Sequence, residues 1–157
     1  YRYSINIKLE TTKPMIWTAL NGEPLFNKDY RKNVTMMKEK GFNVASHTNG
    51  ILLDKAMAQF IVDLPLDAVS ISLDAFKEET YVKIRENKHF DRIHQNIFNL
   101  LDIRGETPHP RIEVSMNIME ENWQEEENWD GGEREVRTTP RSRFLKRLPD
   151  LKKNYFY

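Results

Sequence analysis

The chain contains no cysteine among its 157 residues. This absence excludes disulfide bonds, and it also excludes thiolate-based metal binding or redox chemistry within these residues. No apolar run approaches the roughly 20 residues that a membrane-spanning helix requires. The formal net charge is zero, so no field of a single sign draws the whole chain to nucleic acid or to a membrane.

The first ten residues, YRYSINIKLE, alternate as a strand does rather than as a signal peptide. We therefore expect a cytoplasmic protein. Hydrophobic residues make up 39% and charged residues 31% of the chain, which is typical of a globular protein with a polar surface. The length suits one domain with a sizeable core.

Alternating strands and helices organise the stretch from Gly41 to Arg104. Two β-rich runs, at 43–47 and 68–73, are separated by an amphipathic helical segment, and two more helical segments follow. This spacing predicts βαβ units and hence an α/β fold with a parallel sheet. Polar residues follow where the strands stop, as Thr48-Asn49-Gly50 and Ser72-Leu73-Asp74. Ligands of such sheets lie beyond the carboxyl ends of the strands. We therefore expect these residues to lie at the ligand-binding site.

Two strands are predicted before this stretch, and their connection is unusual. Residues 3–9 alternate as a half-buried strand, and the run from Met15 to Leu20 predicts a more fully buried one. The link from Thr11 to Pro14 suits a hairpin, because a parallel crossover needs about a dozen residues or more. The junction therefore conflicts with the parallel arrangement predicted downstream.

The remaining pattern predicts helices over 29–40, from Asp54, over 77–85 and from Asp91 to near Arg104, then a strand over 112–117. Beyond this strand the pattern weakens. The acidic segment 120–127 predicts a solvated helix, and the segment 134–153 is basic without a clear period. We expect a first domain over 1–127 and a C-terminal extension over 128–157.

A set of short motifs follows these elements in order. The motifs are Gly22-Glu23-Pro24, Thr48-Asn49-Gly50, Ile71 to Ala75, Glu79-Thr80-Tyr81 with Ile84-Arg85, Phe90-Asp91 with Asn96-Ile97, and Val114-Ser115-Met116 followed by Asn122 and Glu125. In order and spacing they resemble the radical S-adenosylmethionine (radical SAM) enzymes, in particular the branch with a C-terminal SPASM or twitch extension. The resemblance covers about residues 3–127 and implies a partial (β/α)6 barrel.

The resemblance also implies which residues hold the cofactor S-adenosylmethionine (SAM). Gly22, Glu23 and Pro24 would lie along its methionine moiety, with backbone groups meeting its ammonium. Ser72 and Arg85 would reach its ribose or carboxylate, as a guanidinium suits a carboxylate.

Four further residues are expected at the same site. Asn117 would lie near the end of its strand, and Thr48 with Asn49 would line the site from an Asn-Gly turn. Asp74 would either line the site or cap the helix that follows it.

The chain departs from the family in one respect, because the family's CxxxCxxC loop is absent. That loop follows the first strand and holds a [4Fe-4S] cluster whose fourth iron binds SAM. Its place is the short junction between Thr12 and Met15. Either the loop and the first helix are missing there from these residues, which we expect, or the chain is a degenerate member without the cluster. No metal ligands are predicted within the chain, because the spacing of its four histidines does not converge.

The resemblance implies an oxidoreductase-like enzyme that cleaves SAM reductively to a 5′-deoxyadenosyl radical, which abstracts hydrogen from a substrate. The expected substrate is a peptide, as in maturases, or a small molecule, and the expected electron donor is a ferredoxin or flavodoxin. The alternative is a cluster-less scaffold that binds RNA or an acidic partner through residues 134–153. Beyond that alternative, neither a membrane nor a nucleic acid is an expected partner.

Overall fold

The computed structural model describes residues 13–18 and 22–125, and the backbone of residues 143–147. A short 3-10 helix, Pro24–Phe26, follows the first strand. The other elements are β1 (Met15–Trp17), α1 (Tyr30–Glu39), β2 (Asn43–Thr48), α2 (Lys55–Asp63), β3 (Ala68–Ser72), α3 (Glu78–Arg85), α4 (Phe90–Arg104), β4 (Arg111–Asn117) and β5 (Arg143–Arg147). None of the helices in these ranges combines the length and the apolar character needed to cross a membrane.

The strands form one sheet in the order β1-β2-β3-β4-β5, and the first four are parallel. The register pairs Thr48 with Ile71, and Ile71 with Val114. The predicted α/β fold with a parallel sheet is therefore confirmed. The four parallel strands are not closed on themselves, and they are consistent with the partial (β/α)6 barrel that the sequence implied.

One face of the sheet is apolar and packs against the helices. Valines, isoleucines, leucines and one methionine dominate a single buried cluster that joins β2, β3 and β4 to all four helices. The strand members of this cluster are Val44, Val69, Ile71, Ile112, Val114 and Met116. They occupy alternate positions, as the two-residue period of a strand requires. This packing fixes the register of the strands, because a slip by one residue would turn these side chains to the opposite face.

Asp67 ties the amino ends of two strands to α1. Its Oδ2 accepts hydrogen bonds from Lys38 Nζ and from the Val44 amide, each at 2.7 Å. Burial works to raise the pKa of Asp67, but the hydrogen bonds from Lys38 and Val44 outweigh it and hold the pKa below its ordinary value. This link lies at the end of the sheet opposite to the predicted site.

The first strand is shorter and more exposed than the sequence predicted. It ends at Trp17, and the side chains of Met15 and Trp17 are 41% and 43% exposed. The expectation of a more fully buried strand is wrong here because, among the described strands, β1 pairs with β2 alone and lies at the edge of the sheet. The predicted strand over 3–9 and the link at Thr11 and Thr12 lie outside the described residues.

The far edge of the sheet differs from the prediction as well. The backbone of β5 pairs antiparallel with β4, with Leu145 opposite Ser115. The sequence predicted no strand there, because the basic segment lacks the alternation that marks a half-buried strand. The rest of the predicted extension over 128–157 lies outside the described residues.

Gly50 shows why the turn after β2 needs a glycine. Its φ is +79°, and a Cβ atom built there would lie 3.0 Å from Cγ2 of Ile71 and 3.0 Å from Cγ2 of Ile93. Its carbonyl accepts a hydrogen bond of 2.8 Å from Asn96 Nδ2 on α4. The backbone of this turn is therefore packed directly into the core.

We expect Gly50→Ala to lower the free energy of unfolding by about 2–4 kcal/mol, from the left-handed φ and from overpacking against two isoleucines. Gly41→Ala is the matched control, because its φ is also positive at +81° but its added Cβ meets only the flexible Lys13 Nζ at 3.7 Å. That control should cost about 1 kcal/mol. Urea unfolding followed by circular dichroism measures both, and equal losses would contradict the packing argument.

Candidate functional site

The predicted site residues follow the carboxyl ends of the four parallel strands. Glu23 follows β1, Thr48 ends β2, Ser72 ends β3 and Asn117 ends β4. Because the strands are parallel and in register, these positions lie along one edge of the sheet. The structure thus brings the sequence-predicted residues together in two hydrogen-bonded groups.

The first group forms around the carboxylate of Glu23. Its Oε1 accepts hydrogen bonds from Thr48 Oγ1 at 2.7 Å and from the Leu25 amide at 3.1 Å. Its Oε2 accepts a hydrogen bond from the Asn49 amide at 2.7 Å. One carboxylate therefore caps the 3-10 helix and fastens the loop after β1 to the end of β2.

This use of Glu23 leaves the backbone of the loop as the part that can meet a ligand. The side chain is occupied by three donors within the protein. Gly22 has a φ of +85°, and no described atom lies within 4 Å of the place where a Cβ would sit. The loop therefore presents an open backbone surface beside a fixed carboxylate.

The second group forms around the carboxylate of Asp74, whose side chain is only 3% exposed. Its Oδ1 accepts hydrogen bonds from the Asn117 amide at 2.7 Å and from Asn117 Nδ2 at 3.2 Å. Its Oδ2 forms a salt bridge with Arg85. Arg85 also donates a hydrogen bond of 2.9 Å to Ser72 Oγ. Asp74 thus joins the ends of β3 and β4 to the last turn of α3.

Asp74 does not cap the following helix, which was one of its two expected roles. The residue that precedes α3 as its N-cap is Lys77. Asp74 instead adopts a φ of +61°, which is uncommon for a residue other than glycine. This backbone turn directs its carboxylate to Asn117 and Arg85.

A pocket of about 390 Å³ lies beside this second group. Its wall combines the charged and amide side chains of the group with apolar side chains from α3 and from the segment after β4. The lining residues are Asp74, Ile84, Arg85, Asn117, Ile118 and Met119. Nε of Arg85 is buried and has no hydrogen-bond partner within the described structure, so the guanidinium retains a donor.

A row of polar residues on the other face of the sheet was not predicted from the sequence. His47, Ser70 and Glu113 are in register on β2, β3 and β4. Ser70 Oγ lies 3.1 Å from His47 Nδ1, and Glu113 Oε1 lies 2.6 Å from Arg111 Nε. The alternation of small polar and apolar residues within β3, as Ala-Val-Ser-Ile-Ser, was the signal that could have found this row.

Three hydroxyl groups link α1 to the sheet. Tyr30 Oη and Thr18 Oγ1 each lie 2.6 Å from Ser46 Oγ. Burial raises the pKa of Tyr30 to about 12, with the bond to Ser46 lowering it in part and the negative charge of Glu23 adding to the rise. Tyr30 therefore stays protonated at neutral pH and serves as a structural link.

The segment after β4 also differs from the prediction. The acidic stretch 120–127 was expected to be solvated, yet Asn122 is 0% and Glu125 is 5% exposed. Their side chains bond to the backbone of the loop after β3, so the prediction of a solvated segment is wrong for both. Residues 126 and 127 lie outside the described residues.

The residues present do not supply ligands for an iron-sulfur cluster. The whole chain contains no cysteine, and thiolates are the usual ligands of such clusters. Within residues 13–18 and 22–125 no group of three or more histidine and acidic side chains is placed to hold a metal ion. A cluster therefore does not fit the donor set of these residues.

Comparison with known proteins adds an independent observation. The family model described as the Radical SAM superfamily matches residues 12–128. An uncharacterized protein of Methanocaldococcus jannaschii is 35% identical over 77 residues, which cover 48% of this chain and 27% of that protein.

Two other relatives carry a functional name. A probable GTP 3′,8-cyclase of Methanococcus maripaludis is 34% identical over 88 residues, which cover 55% of this chain and 29% of that protein. A probable GTP 3′,8-cyclase of Saccharolobus islandicus is 35% identical over 83 residues, which cover 52% of this chain and 27% of that protein. The chain thus spans less than a third of the length of these curated relatives.

The pairing of Asp74 with Arg85 leads to an asymmetric prediction. We expect Arg85→Ala to lower the free energy of unfolding by about 2–3 kcal/mol, because it leaves a buried carboxylate without its cation. Asp74→Asn should cost only about 1 kcal/mol, since the amide oxygen still accepts from Asn117 and Arg85 is partly exposed. The double variant should then be more stable than Arg85→Ala alone. Urea unfolding of the four proteins measures this cycle, and a double variant less stable than Arg85→Ala would contradict it.

Proposed function

The chain belongs to the radical SAM superfamily, and on that premise we propose that it forms the SAM-binding part of a radical SAM enzyme. The observation that carries the proposal is the pocket bounded by Asp74, Arg85 and Asn117. It lies on the same edge of the sheet as the Gly22-Glu23-Pro24 loop. SAM carries its ammonium and its carboxylate on the same carbon, so its site needs backbone acceptors for the ammonium close to charge-assisted and neutral hydrogen-bond donors for the carboxylate.

The donor set of the pocket suits the carboxylate or ribose of SAM. Arg85 carries the fixed donor fork of a guanidinium and is oriented by Asp74 and Ser72. Its Nε is buried and has no hydrogen-bond partner within the described residues. Asn117 is held by Asp74, and its side chain presents an amide to the pocket. Ser72, Arg85 and Asn117 would bind and orient this end of the cofactor.

The ammonium, which shares a carbon with the carboxylate, is assigned to the loop after β1. Backbone carbonyls are suitable acceptors for an ammonium, and the open surface at Gly22 permits close approach. Glu23 would act by holding the loop in place through Thr48 and Asn49. In this proposal Glu23 orients the loop. Pro24 begins the 3-10 helix that fixes the direction in which the chain leaves the loop.

When bound, SAM supplies the radical chemistry of the superfamily. The residues of this chain bind it and orient it, and Ile84, Ile118 and Met119 provide the apolar part of the pocket lining. The cluster that the family uses has no ligands among these residues, so their role is confined to holding SAM. That the cluster loop belongs between Thr12 and Met15 stays a prediction.

For the substrate, two classes are proposed, and the relatives favour one of them. The peptide substrate expected for a SPASM-type maturase rests on the sequence resemblance alone. The relatives named probable GTP 3′,8-cyclase favour a guanine nucleotide. The polar row of His47, Ser70 and Glu113 suits a substrate rich in hydrogen-bonding groups. A ferredoxin or flavodoxin as electron donor, an oxidoreductase-like class and a cytoplasmic location also stay proposals.

The alternative of a binding scaffold for RNA or an acidic partner rests on the basic segment 134–153. Only the backbone of Arg143–Arg147 in that segment is described. No contact in the described part of the chain favours this alternative over the enzyme.

We expect the chain to bind SAM, and Arg85→Ala and Asn117→Ala to weaken that binding by about tenfold or more, since each removes a donor from the pocket. Arg92→Ala is the matched control, because Arg92 is exposed on α4 and lines no part of the pocket. Isothermal titration with SAM measures the dissociation constants. Equal affinity of wild type and Arg85→Ala would contradict the proposed site.

The substrate proposal predicts selective binding of GTP. In the presence of SAM, GTP should bind at least about tenfold more tightly than ATP, because the two nucleotides differ only in the hydrogen-bonding edges of the base. Equilibrium dialysis with labelled nucleotides measures the ratio. Equal binding of GTP and ATP, or tight binding of neither, would remove the support for a guanine nucleotide and leave the peptide.

A further inference from the structure

Two buried polar side chains lie in the segment that leaves β4, and neither belongs to the proposed SAM contacts. They are Asn122 and Glu125, at 0% and 5% exposure. Their neighbours Glu121, Trp123 and Gln124 are exposed. Buried polar groups are costly unless they are hydrogen-bonded, so their bonds indicate what they do.

Asn122 bonds to three backbone groups in two segments of the chain. Its Nδ2 donates to the carbonyl of Asp74 at 2.7 Å and to the carbonyl of Asn117 at 2.8 Å. Its Oδ1 accepts from the Met119 amide at 2.7 Å. One amide side chain therefore ties the exit of β4 to the residue whose carboxylate orients Arg85.

Glu125 makes a second bond between the same two loops. Its Oε2 accepts a hydrogen bond of 2.5 Å from the Phe76 amide, which lies just after Asp74. The contact spans 49 positions in the chain. With Asn122, it forms what we name the exit latch, consisting of Asn122 and Glu125 bonded to the backbone of 74–76.

The exit latch is bonded directly to residues that line the pocket. Asn122 Oδ1 accepts from the amide of Met119, and Asn122 Nδ2 donates to the carbonyl of Asp74. The lining includes Ile118 and Met119 from the segment after β4, and Asp74 from the loop after β3. The latch and the Asp74–Asn117 bonds join this loop to that segment, so they contribute to holding the two sets of lining residues in their relative positions.

Resting on the proposed function, we infer that Asn122 and Glu125 are positioning residues for SAM. They act through the backbone of Asp74, Phe76 and Met119, and they set the width of the pocket and the orientation of Arg85. Neither side chain lines the pocket. Loss of either should thus weaken binding without removing any group that touches the cofactor.

The test compares four variants of the full chain, each first checked for its fold by far-UV circular dichroism. Glu125→Ala removes the acceptor for the Phe76 amide. Glu125→Asp keeps the negative charge but shortens the side chain by one methylene group. Glu125→Gln keeps an acceptor oxygen at the same reach. Glu121→Ala is the matched control, because it removes an exposed glutamate from the same segment.

Two readouts separate positioning from general stability. In titrations with SAM, Glu125→Ala and Glu125→Asp should raise the dissociation constant by about tenfold, while Glu125→Gln and Glu121→Ala should stay within about threefold of wild type. Hydrogen exchange should accelerate at the Phe76 amide in the first two variants and not across the core strands. Should Glu125→Ala fail to fold, Glu125→Asp alone carries the comparison with Glu125→Gln.

The outcomes distinguish this inference from the proposed function. If the wild-type chain binds SAM, and a folded Glu125→Ala or Glu125→Asp variant binds it with the same affinity, the inference alone is overturned. Loss of affinity in Glu125→Gln equal to that in Glu125→Ala also overturns it, since the acceptor would then not be the determinant. A wild-type chain that takes up no SAM overturns the proposed function and this inference together.

Discussion

The buried carboxylate of Asp74 is the constraint on which the site depends. It accepts hydrogen bonds from the backbone amide and from Nδ2 of Asn117, and it forms a salt bridge with Arg85. The backbone carbonyl of Asp74 accepts a hydrogen bond from Asn122. Four elements therefore meet at one residue: the end of β3, the end of β4, the last turn of α3 and the segment after β4. A carboxylate with a side chain 3% exposed is stable only if its charge is paired and its oxygens are hydrogen-bonded. The requirement to satisfy Asp74 thus fixes the relative positions of these elements.

Glu23 and Asp74 have the same structural role at two places along the same edge of the sheet. Each carboxylate follows the end of a parallel strand, and each accepts hydrogen bonds from a neighbouring strand end, Glu23 from Thr48 and Asp74 from Asn117. An acidic residue at such a position could instead be expected to bind the ligand or to exchange a proton. Here both are occupied by donors of the protein, so their effect on a ligand is exerted through the groups that they orient.

Much of this arrangement could be predicted from the sequence, because it depends on local patterns. The period of Val69 and Ile71, the Asn-Gly turn at Gly50 and the polar residues at strand ends are all readable along the chain. The positions of Asn122 and Glu125 were not predictable in this way. Both lie in an acidic stretch that resembles a solvated helix, and their bonds reach positions 74 and 76, which are 48 and 49 residues away. The short exposed β1 was unpredictable for a related reason, since burial of Met15 and Trp17 depends on what lies beside the sheet edge and not on their own hydrophobicity.

The backbone conformation of Asp74 depends on the same set of bonds. A φ of +61° at a residue other than glycine costs on the order of 1 kcal/mol or more. Such a conformation persists only where the surrounding structure determines it, and here Asn117, Arg85 and Asn122 do so. A glycine at this position would relieve the backbone but would lose the carboxylate that orients Arg85. The conformation thus places the Asp74 carboxylate where it pairs with the guanidinium of Arg85 beside the pocket.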